Sequence, residues 1–187
     1  MDSHYTITLA VDPEVLVSWT EHKDRDRFRV EAKAVLSTTS LRDWLMSELS
    51  AASTYLGLTS LEWLATANEA PVRTTEHQDS RGDWWFVWVL YRDDILASVE
   101  GLGQVFRLAQ EQPSRFGATA EEVNSALEWD RQSTEGDFKV PNGGDGDDPT
   151  FVLCAILALK RLLGLAHTER LCVVHLRYSF RAGESDA

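Results

Sequence analysis

Cysteine is nearly missing from this chain: Cys154 and Cys172 are the two among 187 residues, and both sit in apolar surroundings. So low a count excludes a disulfide-stapled secreted scaffold and makes a reducing, cytoplasmic compartment the expectation. Positive charge is also scarce. Eighteen basic residues face 30 acidic ones, for a net charge of -12. That balance lacks the broad basic footprint of nucleic-acid and anionic-membrane binders, so direct binding to either is not expected. Of the eighteen, four are lysine, a bias with no clear folding consequence.

Long apolar runs are few. The longest, Phe151 to Leu165, is interrupted by Lys160 and Arg161, short of the roughly 20 residues needed to cross a bilayer. The opening MDSHYTITLAVD has no cationic start leading into an apolar stretch, so a cleaved signal is not indicated. Motifs that name a chemistry are missing too. There is no Gly-x-Ser-x-Gly elbow, no His-Glu-x-x-His and no Gly-Lys-Ser or Gly-Lys-Thr phosphate loop. Gly101-Leu102-Gly103 is a fragment of a dinucleotide fingerprint, but Phe106 stands at its third glycine and no strand leads directly into it. An enzyme could still assemble a site from scattered residues, since acid-base partners need not be neighbours in sequence.

What the chain does have is an aromatic surplus, seven tryptophans, three of them in the run Asp83 to Tyr91, DWWFVWVLY. With period two, Trp84, Phe86, Trp88 and Leu90 alternate with Trp85, Val87, Val89 and Tyr91, so neither side suits water. This run is expected to be the central strand of a sheet covered on both faces. His4 to Val11 alternates as a half-buried strand, followed by the helix start Asp12-Pro13. Arg27 to Leu36 alternates again, with one charged side. Leu41 to Leu56 carries the three-four spacing of an amphipathic helix with Gly57 as its stop, and Thr59 to Asn68 reads as a shorter one. The turn Asp79-Ser80-Arg81-Gly82 should join Val72 to His77 with the tryptophan run in a hairpin. Helices follow from Asp93 to Gln110 and Ala118 to Asp130, and an almost wholly apolar core helix from Pro149, ended by Gly164. Gly101 and Gly103 must either break the first of these or let it pack closely on a neighbour. Leu171 to Phe180 is the last strand. The expected architecture is a single α+β domain over residues 1–187, a mixed sheet of about five strands with helices packed on it.

Residues 130–148 have no apolar periodicity and four glycines among acidic residues, which describes a flexible loop. From Glu121 to Asp148 the carboxylates are Glu121, Glu122, Glu128, Asp130, Glu135, Asp137, Asp145, Asp147 and Asp148, against Arg131 and Lys139 alone. More than half of the net charge therefore lies in this region. Three carboxylates in Asp145 to Asp148 suit a hard cation, but an EF-hand counted from Asp145 would need Glu where Ile156 stands. No metal and no cofactor is assigned. Cys154, His167, Cys172 and His175 could suggest a zinc or nucleophile site, but Cys172 and His175 differ by three on a strand and leave opposite faces.

The pattern points to a non-enzymatic acidic module, a regulator, adaptor or inhibitor that docks on a basic protein surface. Its candidate contact residues are Glu121, Glu122, Glu128, Trp129, Asp145, Asp147, Asp148 and Trp85. The alternative is an enzyme or small-ligand binder with a tryptophan-lined pocket roofed by the acidic loop. Catalytic residues are assigned to neither.

Overall fold

The computed structural model describes residues 3–16, 32–38, 43–61, 63, 75–78, 84–134, 138, 140 and 149–180. They form an α+β structure. In chain order its elements are β1 (Ser3–Val11), β2 (Ala34–Thr38), α1 (Asp43–Leu56), β3 (Thr75–Gln78), β4 (Trp84–Leu90), α2 (Arg92–Glu111), a 3-10 turn (Pro113–Phe116), α3 (Ala120–Gln132), α4 (Pro149–Glu169) and β5 (Cys172–Phe180).

The strands lie side by side as β2-β1-β5-β4-β3. Two expectations change here. The sheet is not mixed, because every pairing among the described strands is antiparallel. Nor is the tryptophan run in the middle: β5 is, with β1 on one side and β4 on the other. The run is an inner strand, bonded to β5 and β3. The β3–β4 hairpin forms in the expected place, Thr75 facing Val87 and Gln78 facing Trp84. β1 differs in another way. It was expected to wet one side, yet Thr8, Leu9, Ala10 and Val11 are all within 1% of full burial, because both faces of the sheet are covered at this end.

On one face Ala10 and Val173 join the main core with α1, α2, α3 and α4. On the other Leu9, Val11, Cys172 and Val174 meet Leu16 of a helical turn at 13–16. That turn starts at Asp12, whose carbonyl accepts from the amides of Val15 and Leu16. Of the second sequence-predicted strand, Arg27 to Leu36, the part before residue 32 lies outside the described residues, as does most of the helix expected from Thr59 to Asn68.

α4 is the hub of the core. Phe151 to Leu159 are buried without a break, followed by Leu162, Leu163 and Ala166. Over 151–159 the helix is buried all round and its sequence has no amphipathic stripe; beyond, Lys160, Arg161, Gly164 and Leu165 are partly exposed. By length and composition α4 could also span a bilayer, but 67% of its most apolar window is buried inside the protein.

Helix ends follow local chemistry. α1 stops at Gly57, at φ +67°, with Leu58 N bonded to Ser53 O and Gly57 N to Thr54 O, the paired bonds of a Schellman end. α4 ends in the same pair of bonds, Leu171 N to Ala166 O and Arg170 N to His167 O, but the left-handed residue is Arg170 at φ +59°. Gly164, expected to stop this helix, lies inside it. Nor do the glycines break α2. A Cβ on Gly101 would lie 2.7 Å from Ser60 Oγ and 3.1 Å from Leu61 Cγ, so this glycine serves close packing against the 60–61 segment.

Candidate functional site

α3 carries most of the described acidic region. Thr119 starts it with a reciprocal cap: its Oγ1 accepts from Glu122 N at 3.2 Å, and its own N–H donates to Glu122 Oε2 at 2.6 Å. Such a box satisfies two amide donors that the first helical turn would otherwise leave open. Val123 and Ala126 are buried, and Leu127 and Trp129 pack partly against the core. The opposite side presents Glu121, Asn124, Ser125, Glu128 and Arg131, spaced three or four apart and hence on one face. Together with Leu127 they line a shallow, open depression, all of it on one helix.

The candidate carboxylates differ in how committed they are. Glu122 is held by its own cap. Glu128 accepts from Gln132 Nε2 at 2.8 Å and from Arg131 Nη1 at 3.2 Å, and those bonds, the one from Gln132 first, lower its carboxyl below the ordinary value of 4.5. It remains ionised and exposed. Glu121, also exposed, lies in the first turn, where the helix dipole favours a negative charge.

Trp129 stands at the end of this face, half-buried rather than displayed. The Arg161 guanidinium lies 5.2 Å from the centre of its ring and 6.0 Å from that of Phe138. Arg161 Nε is 3.0 Å from Asp130 Oδ1, with about a quarter of each side chain exposed. The N–H does not point at that oxygen, so the attraction is Coulombic rather than a hydrogen bond. Arg161 Nη1 donates weakly to Thr134 O at 3.4 Å. One arginine of α4 thus fastens the C-terminal end of α3. The sequence shows Arg161 only as an interruption of an apolar run, with no signal of its partner 31 residues away.

Of the other candidates, only Trp85 falls on a described element. Trp85 belongs to β4, in register with Tyr178 and His77. Asp145, Asp147 and Asp148 lie outside the described residues.

A second polar group lies in the core. His175, 1% exposed on β5, shares a 2.9 Å hydrogen bond with Thr8 Oγ1 of β1. Trp63 meets the imidazole edge-on, 5.1 Å between ring centres, and donates its indole N–H to Ser98 Oγ at 3.0 Å. The Ser98 hydroxyl has two carbonyls in reach, Asp94 O at 2.7 Å and Ser60 O at 2.9 Å. This chain of contacts ties the central strand to α2 and occupies one tryptophan internally. Cys172 is on the opposite sheet face, where burial pushes its thiol up, and Cys154 is buried in α4. Among the described residues no three His, Cys, Asp or Glu side chains converge as a metal site would require. Comparison of the chain with protein-family models, curated proteins and solved structures finds no match.

Proposed function

We propose that the chain is a non-enzymatic protein-binding module, one domain of about five strands, whose acidic side docks on a basic surface of a protein partner. The observation that supports this most is the outer face of α3. Its inner positions are fixed in the core, so Glu121 and Glu128 are held on a rigid element with polar Asn124 and Ser125 between them. Charge held rigidly raises association rate and selectivity more than raw affinity. In this reading Asp145, Asp147 and Asp148 extend the same field along the chain, Trp129 is a partly covered apolar rim, and Trp85 is a separate contact on the sheet. The module works in the cytoplasm and needs no cofactor. The alternative, a tryptophan-lined pocket, gains no support from Trp63, which is 5% exposed and bonded inside the core.

The test is capture from a lysate of the native host over a salt series, with identification of what is retained. The double variant Glu121→Gln, Glu128→Gln and the triple variant Asp145→Asn, Asp147→Asn, Asp148→Asn are compared with the parent chain. Weaker capture with a shallower salt dependence is expected from both. Unchanged capture by both removes the acidic side from the account. A thermal-shift screen of metabolites, nucleotides and divalent ions runs beside it, because a specific ligand stabilises the native state by mass action; a hit there favours the pocket instead.

A further inference from the structure

We draw no further inference here: the strongest candidate, the second face of the sheet around Val35 and Val89, partly buried beside the helical turn at 13–16, carries nothing because nothing in the structure shows what covers the rest of it.

Discussion

Arg170 holds a left-handed backbone at φ +59°, a conformation that costs an L-residue roughly 1–2 kcal/mol and glycine almost nothing. Six residues earlier Gly164 sits inside α4 with open space where a Cβ would go, and an interior glycine costs a helix about 1 kcal/mol relative to alanine. Glycine is thus placed where a side chain is allowed, and a side chain where glycine is favoured. Arg170→Gly and Gly164→Ala should each raise the unfolding free energy measured by urea titration by about 1 kcal/mol or somewhat less, and the two should add if the helix end is otherwise unchanged. A loss of stability in Arg170→Gly would mean that its side chain makes a contact worth more than the strain. The opposite sign is expected at Gly101. There a methyl group meets Ser60 Oγ at 2.7 Å, so Gly101→Ala should cost about 1–3 kcal/mol by overpacking. Ser98→Ala should cost a similar amount, about 1–3 kcal/mol, because it strands the buried Trp63 N–H.

At the scale of elements, what could be read in advance was whatever depends on neighbours in sequence. The β3–β4 hairpin follows from a turn flanked by two strand-like runs, the end of α1 from Gly57, and the burial of 151–159 in α4 from an unbroken apolar run. Apart from the end of α4, which runs past Gly164 to a left-handed Arg170, the features missed require distant partners. β5 is central because β1 and β4 both pair with it, and nothing in CVVHLRYSF marks it as the middle rather than an edge. Arg161 holds Trp129 and Asp130 from another helix, and no local pattern announces that. The acidic face of α3 was legible as composition, but not the division of labour within it, in which Glu122 caps and Glu128 bonds to Gln132 and Arg131. That division has a pH signature. The folded Glu128 carboxyl titrates below its ordinary 4.5, so its contribution to stability is complete above that value and is lost as pH falls through the lowered one. Glu128→Gln should therefore flatten the acid limb of a stability profile measured between about pH 5 and 3, while near pH 7 it loses only what the ionised bonds supply. A steeper acid limb in the variant would contradict the assignment.

At the scale of the whole molecule, the net charge of -12 opposes the compact state through self-repulsion, and the few described ion pairs are weak offsets. Lys33 with Asp12 at 3.7 Å and Arg131 with Glu128 at 3.2 Å are more than half or nearly half exposed, a setting in which such pairs contribute about 0–1 kcal/mol. Arg161 with Asp130 is better covered, but it is a single link. The core of α4 carries the stability instead, since each fully buried aliphatic side chain contributes roughly 1.5–3 kcal/mol. Salt at about 0.15 M reduces the Debye length to about 8 Å, which screens repulsion spread over the surface and leaves the interior untouched. The melting temperature should therefore rise between low salt and about 0.15 M, measured by circular dichroism in a buffer free of divalent ions. Capture of a basic partner should weaken over the same interval, because the screened field is the one proposed to guide docking. Opposite slopes in the two measurements would separate a charge retained for binding from one that holds the fold together; a melting temperature that falls with salt would assign the acidic residues to ion pairing inside the protein and leave α3 without its proposed outward role.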